Sequence, residues 1–320
     1  MSKQGIDMVK LGIVIPCYNE EAVVADTAAE VLGILGDLVQ REVISADSFV
    51  LFVNDGSTDS TWQLITGLHS QDSRVKGLNL LSNVGQQNAI MAGMMTVRER
   101  VDAVVTIDAD LQDDITCLEK MLGYYSEGCD IVYGVRESRE VNGYFKRTTA
   151  RMFYRLQRAL GVKIVDNHAD FRLMSRRALD ELAKYKERVL YLRGIVPLLG
   201  LRSAEVSYRF RERKAGKSKY TLGKMLNLGV DGITGFSATP INYIIGTGCL
   251  FLVVSFFMML YILWSFFVGR AVSGWTSIML SMWFIGAMIL LSIGVIGKYI
   301  ANIFAEVKRR PLYHIDTFLD

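Results

Sequence analysis

The run Thr106-Ile107-Asp108-Ala109-Asp110-Leu111-Gln112-Asp113 gathers acidic and amide side chains where an apolar stretch ends. Like charges this close repel one another unless a cation or a donor compensates. Alternate residues of an extended backbone point the same way, so Asp108, Asp110 and Gln112 are expected to project together. Hard oxygen ligands of this kind suit Mg2+ or Mn2+, which keep one or two protein carboxylates and take the rest of their shell from substrate phosphates and water. The expected chemistry is therefore metal-assisted handling of a diphosphate. Two further segments carry weaker signals. Val14-Ile15-Pro16-Cys17-Tyr18-Asn19-Glu20-Glu21 ends an apolar run with a proline, which has no donor and should stop strand pairing. Tyr18 offers a ring for stacking on a base, and the following helix start offers backbone amides. In Val53-Asn54-Asp55-Gly56-Ser57-Thr58-Asp59-Ser60, Asp55 could accept hydrogen bonds from a nucleobase or ribose. Ser57, Thr58 or Asp59 could instead simply cap the next helix.

These segments need elements to position them. Short β-rich runs at Leu11–Ile15, Phe49–Val53, Val75–Leu81, Ala103–Ile107 and Asp130–Tyr133 read as strands. Helical stretches lie between them, at about Glu20–Gln40, Thr58–Ser70, Gly85–Arg98 and Ile115–Glu127. Near-continuous apolar strands alternating with helices predict a largely parallel sheet covered on both faces. Ligands of such sheets bind at the carboxyl ends of the strands. That rule selects Pro16–Glu20, Asn54–Asp59, Ser82–Gly85 and Asp108–Gln112, all of them polar and rich in turn residues.

Bulk composition points to two environments. Of 320 residues 51% are hydrophobic and the mean hydropathy is positive, yet 22% are charged. A soluble catalytic part joined to a membrane part reconciles the two. Four cysteines (Cys17, Cys117, Cys129, Cys249) form no CxxC pair, which argues against a zinc site or a disulfide framework and fits a reducing cytosol. Three histidines exclude a histidine-rich metal site, and the N-terminus shows no signal-peptide pattern. The net charge of +3 conceals an asymmetry: −12 over residues 1–135, +13 over 136–220 and +2 over 221–320. A basic block beside a membrane segment suits anionic headgroups or a phosphate-bearing substrate, and a membrane anchor speaks against nucleic acid as the partner.

No charge occurs between Asp231 and Arg270, or between Arg270 and Lys298. Each gap exceeds the roughly 20 apolar residues needed to cross a bilayer. Ile241–Val268 and Trp275–Gly297 are thus predicted to span. Basic residues on both flanks place both ends in the cytoplasm by the positive-inside rule. Two stretches read as interfacial amphipathic helices. In Lys146–Leu160, Met152, Phe153, Leu156 and Leu160 form an apolar stripe among arginines; in Thr221–Ile233, Leu222, Met225, Leu226, Gly229 and Ile233 share a face. Packing on the soluble core is the alternative for both. Two spans without intramembrane charge leave no polar route for a flippase.

The ordered set PCYNEE, VNDGSTDS, NVGQQNAIMAG, IDADLQDD, ADFRLMSRRA and AGKSKYTLGK resembles the inverting family 2 glycosyltransferases, and within them the polyprenyl-phosphate type: bactoprenol glucosyltransferases and dolichyl-phosphate mannose synthases. The resemblance covers essentially the whole chain, including the closing run Glu306-Val307-Lys308-Arg309-Arg310-Pro311-Leu312-Tyr313. It implies an α/β fold of GT-A type, a Rossmann-like mostly parallel sheet, followed by a two-helix transmembrane hairpin. The domains would be 1–220 (catalytic, with an interfacial helix at about 146–160), 221–235 (interfacial) and 236–320 (spans at about 241–268 and 275–297, then a cytoplasmic tail). It implies that Pro16, Tyr18, Asn19, Glu20, Asp55, Gly56, Asn83, Gly85 and Ala109 hold the nucleotide, with Asp108 touching it. Asp110 and Gln112 would ligate Mg2+ or Mn2+. Asp170, with Asp108 and Arg136, would serve catalysis, Asp170 being proposed in the family as a base. Arg136, Arg147, Arg151, Arg172, Arg213, Ser218 and Lys219 would hold the lipid phosphate and the donor diphosphate. The implied reaction moves one sugar, UDP-glucose foremost, to undecaprenyl phosphate at the cytoplasmic face of a bacterial inner membrane, in a homo-tetramer. UDP-GlcNAc, GDP-mannose and UDP-aminoarabinose are the alternative donors, and a non-phosphorylated lipid or glycan is the alternative acceptor. The Gln-x-x-Arg-Trp motif of processive synthases is absent. Asp113-Asp114 departs from relatives that often carry proline after the glutamine, which should alter the next helix start more than the metal site.

Overall fold

The computed structural model describes residues 8–110, 112–136, 168–187, 191–208 and 274–320, with scattered helical positions between 241 and 264. The chain divides into two compact units. The first comprises 1–151, 163–221 and 310–320, and the second 152–162 and 222–309.

The first unit is built on one eight-stranded sheet. Strands β1 (Leu11–Cys17), β2 (Phe49–Asn54), β3 (Val75–Leu80) and β4 (Ala103–Thr106) lie parallel, each separated from the next by a helix. The helices are α1 (Val24–Gln40), α2 (Thr61–Gln71) and α3 (Gln86–Val97). After β4 a short 3-10 turn, Ile115–Cys117, leads into α4 (Leu118–Ser126) and β5 (Ile131–Arg136). Then come β6 (His168–Ser175), α5 (Arg176–Leu182), α6 (Leu192–Leu198) and β7 (Ser203–Tyr208). The spatial order is β7-β5-β6-β4-β1-β2-β3-β8, in which β8 (Ile315–Leu319) is the last element of the chain. The departures from parallel pairing are β6, which runs against both β4 and β5, and β8, which runs against β3.

Alternation along each strand explains why both faces are covered. Leu11, Ile13, Ile15 and Cys17 of β1 join Val50 and Phe52 of β2 and the buried side of α1 (Val24, Ala28, Val31, Leu35, Leu38) in one apolar core. The intervening residues face α3. A Cβ on Gly93 of α3 would come within 2.5 Å of Val14 Cγ1 and 2.8 Å of Val53 Cγ2, so only glycine allows this helix to lie so close to the sheet. Gly93→Leu should destabilise the unit by about 1–3 kcal/mol through overpacking, read as a lowered thermal midpoint of the full chain. An unchanged midpoint would show that the helix can retreat at no cost.

Pro16 does not stop β1, contrary to the sequence expectation: it pairs in register with Val53. The Val14 carbonyl bonds to Ile107 and the Cys17 carbonyl to Asp55, so even-numbered residues of β1 turn their polar groups toward β4 and odd-numbered ones toward β2. The missing N–H of Pro16 therefore faces the side on which β4 has already ended, and no ladder bond is lost. The helices α1 and α2 also start three to four residues later than predicted, because Glu21–Val23 and Asp55–Ser60 form turns. The strands β6, β7 and β8 are not among those the sequence pattern gave. β8 is held by side chains as well as by its ladder: Asp320 bonds to both Lys76 and Arg100, and Asp316 accepts from Asn79 at 2.9 Å.

In the second unit, α7 runs from Trp275 to Lys308, well beyond the predicted end at Gly297. At about 1.5 Å per residue its 34 residues extend some 50 Å, more than the roughly 30 Å hydrocarbon thickness of a bilayer. Among the described residues it holds the one stretch long and apolar enough to cross a membrane, Phe284–Lys308. Leu290, Ile293, Ile300, Phe304 and Val307 are all exposed and share one side of this helix. Arg309 closes it in a left-handed conformation. The predicted first span and both interfacial helices fall largely or wholly outside the described residues.

Candidate active site

The four turns selected from the sequence meet at the carboxyl end of the parallel strands and are tied to one another. Asn19 adopts a left-handed backbone (φ 53°), which asparagine tolerates better than other non-glycine residues. Its Oδ1 accepts from the Thr58 amide at 2.8 Å, and its own amide donates to Ser57 Oγ at 2.9 Å. The Glu20 amide donates to Thr61 Oγ1 at 2.9 Å. Of the three capping candidates it is Asp59 that accepts from the first-turn Thr61 amide, at 3.0 Å. Asp55 is buried, and its two oxygens accept from the amides of Val84 (2.7 Å) and Gly85 (3.0 Å). Burial raises its carboxyl above the ordinary value, and the two amides offset part of that. Gly56 is obligatory: at φ +63° a Cβ would lie 2.5 Å from the Asn83 amide nitrogen. Tyr18 remains exposed at this rim.

Asp108 and Asp110 follow β4, and Ala109 between them is buried, its carbonyl accepting from Thr27 Oγ1 of α1 at 2.7 Å. Asp110 Oδ1 accepts from the Gln112 amide at 3.2 Å, curling the turn on itself. Leu111 lies outside the described residues. Asp108 Oδ1 accepts from Gln86 Nε2 at 2.7 Å. Burial, then the charges of Asp113, Asp170 and Asp110, push the Asp108 carboxyl up to about 8. Asp114 accepts from Thr116 and caps the 3-10 turn.

Asp170 arrives from a different direction. Because β6 is antiparallel to β4, its early residues lie beside the end of β4: Thr106 pairs with Arg172, and Thr106 Oγ1 donates to the Asp170 carbonyl. Asp170 thereby reaches the same end of the sheet as Asp108, 62 positions away in sequence. Burial alone would raise its carboxyl, but Arg193 and Arg172 hold it well below the usual carboxylate range. Arg172 corrects the sequence reading. It is fully buried, pairs with Asp170 at 2.8 Å and donates to the Leu192 carbonyl at 3.3 Å, so it sits in the core rather than on a phosphate-binding surface.

Arg136 is half-buried. It donates to Tyr208 Oη at 3.0 Å and to Asp113 at 3.1 Å, while Tyr208 also donates to Asp113. Asp113 Oδ2 is buried without a hydrogen-bond partner among the described residues. Burial raises the Asp113 carboxyl, and Arg136 and Tyr208 partly offset this. Phe171 packs edge-on against Tyr208 at 5.3 Å and closes the triad from the core side. Arg147, Arg151, Arg213, Ser218 and Lys219 lie outside the described residues.

Sequence reasoning missed Gln86, Gln87, Asp113, Tyr208 and Arg193. Gln86 and Gln87 stood inside a recognised motif without a role. Arg193 had one signal, as the single charged residue between Arg188 and Arg202. Among the described residues no three His, Cys, Asp or Glu groups are arranged to hold a metal by themselves. The pair that the sequence assigns to Mg2+ or Mn2+ is smaller: the Asp110 carboxylate and the Gln112 amide oxygen, two residues apart on one acidic turn. Such a partial shell leaves positions for phosphate oxygens and water.

Comparison with known proteins fits this geometry. Residues 12–183, more than half of the chain, match the model of glycosyl transferase family 2. The chain is 48% identical over 309 residues to the uncharacterized glycosyltransferase YkoT of Bacillus subtilis, covering 97% of this chain and 92% of that one. It is 37% identical over 307 residues to YkcC of the same organism (95% and 93% covered). It is 35% identical over 313 residues to the SfII prophage-derived bactoprenol glucosyl transferase of Shigella flexneri (96% and 97% covered). With its mostly parallel GT-A-type sheet and acidic strand-end turn, the chain belongs to glycosyl transferase family 2 and is a glycosyltransferase.

Proposed function

We propose that this enzyme transfers a single sugar from a nucleotide-diphospho-sugar, UDP-glucose foremost, to a polyprenyl phosphate at the cytoplasmic face of a bacterial membrane, with inversion. The observation that carries the reading is the coexistence in one chain of an acidic strand-end site and a helix able to cross a bilayer. Similarity along nearly the full length of a bactoprenol glucosyl transferase supports the same acceptor. The catalytic domain is assigned to 1–220, the interfacial helix to 221–235, and the two spans and tail to 236–320. A homo-tetramer follows from the family resemblance.

In this reading the turns after β1, β2 and β3 seat the nucleoside, with Tyr18 stacking on the base. Asp110 and Gln112 would hold Mg2+ or Mn2+, and Asp108 orients the nucleotide. When bound, the metal would supply charge stabilisation for the departing nucleoside diphosphate. The acceptor phosphate has its second pKa near 6, is mostly dianionic at neutral pH and scarcely needs a base. The basic block of residues 136–220 draws that headgroup to the site. The test is a donor panel with polyprenyl phosphate, with and without EDTA. UDP-glucose turnover that EDTA abolishes is the expected result. Turnover of another nucleotide sugar would reassign the donor, and unchanged transfer to a phosphatase-treated lipid would overturn the acceptor.

A further inference from the structure

Four N–H groups close on the two oxygens of Asp170. Oδ1 accepts from Arg172 Nη2 at 2.8 Å and from Arg193 Nε at 3.3 Å; Oδ2 accepts from Gln87 Nε2 at 3.1 Å and from Arg193 Nη2 at 3.2 Å. A carboxylate offers about four lone-pair sites, so this shell is full. Taking up a proton would mean surrendering one of these donors beside two guanidinium groups. Gln87 cannot turn away, because its Oε1 accepts from the Leu192 amide at 3.1 Å, which aims Nε2 at Asp170. The side chains of Asp170 and Arg172 are 2% and 1% exposed, whereas that of Arg193 keeps 30%. Two cations against one anion leave an excess positive charge, and it resides on the member that reaches solvent. Arg193 Nη1 has no partner among the described residues. The neighbouring Gln86 donates to Asp108 at 2.7 Å while Gln87 donates to Asp170, so the Asp170–Arg193 pair sits beside the strand-end site.

We propose that Arg193 meets a phosphate oxygen of the reacting pair, and that Asp170 is its positioning residue rather than a proton acceptor. Gripped through Nε and Nη2, the guanidinium has a fixed plane, and its remaining edge is pre-organised for an anion. The donor diphosphate and the acceptor monoester share this chemistry. The proposal rests on the phosphate-to-phosphate reading above.

The experiment uses the full chain in detergent with Mg2+, comparing wild type, Arg193→Lys, Arg193→Gln and Asp170→Asn. Calorimetry measures binding of inorganic pyrophosphate in one arm and of polyprenyl phosphate in the other. Arg193→Gln should weaken one of these at least about tenfold, Lys should fall between, and Asp170→Asn should weaken the same ligand. In turnover, Arg193→Gln should lower kcat/KM by about 10²–10³-fold, with the matching KM raised and methylguanidine restoring part of the loss. Wild-type affinity for both ligands in Arg193→Gln, or loss with unchanged binding and no rescue, would overturn the proposal. A wild type that transfers no sugar would count against the reaction, while the binding arms still judge Arg193.

Discussion

Replacing Asp110 by asparagine should lower kcat/KM by about three orders of magnitude and raise the Mg2+ concentration needed for half activity. Asn keeps the shape of the side chain and an oxygen for the Gln112 amide, which Asp110 now accepts at 3.2 Å, so the turn should survive. What is lost is an anionic ligand on a metal that is asked to stabilise the leaving diphosphate, a contribution of several kcal/mol. At about 1.4 kcal/mol per tenfold in rate this gives the stated loss. The measurement is steady-state transfer across a Mg2+ and Mn2+ titration. Activity within tenfold of wild type at an unchanged metal requirement would remove Asp110 from the metal site. Asp108→Asn should behave differently, because Asp108 already accepts from Gln86 at 2.7 Å and is assigned to the nucleotide: its donor KM should rise more than its metal requirement.

The second large effect concerns stability. Asp170→Ala leaves the fully buried Arg172 without its counter-charge, which costs about 3–5 kcal/mol for a broken buried pair. For a unit of this size that lowers the thermal midpoint by about 10 °C. Arg172→Met combined with Asp170→Asn should recover part of the midpoint, since a buried pair replaced together by neutral groups is often tolerated, but should not recover transfer. The pair also has a pH signature. The Asp170 carboxyl is held below its unfolded value, so its contribution is fully present above about pH 4 and is lost as pH falls through the folded value. Wild type should therefore lose midpoint below about pH 4 more steeply than Asp170→Asn. Parallel acid profiles would show that the ion pair does not set this limb.

The alternation of β1 to β5 with α1 to α4 was legible because each element carries its own period and each turn its own polar residues. The strands that were missed each lack that signal for a physical reason. β6 places Asp170 and Arg172 in its interior, so no apolar run marks it; the two charges are acceptable there because they neutralise each other. β7 shows only two buried positions among its six residues. β8 is a short edge strand that follows a 34-residue apolar helix, where nothing local announces a return to the sheet.

For the site, the sequence by itself determined which residues end the strands: Asn19, Asp55, Gly56, Gly85, Asp108 and Asp110 all stand where the β/α pattern put them, because a parallel sheet aligns its carboxyl ends. Only the tertiary structure decided what surrounds Asp170. Its distant partners, beyond Arg172 on its own strand, are Gln87 and Arg193, 83 and 23 positions away, and they meet it because β6 runs antiparallel beside β4 while α6 packs over its start. No spacing rule reaches across a reversed strand. The acidic turn is local and so was legible, whereas packing alone sets the buried Asp170 against Arg193.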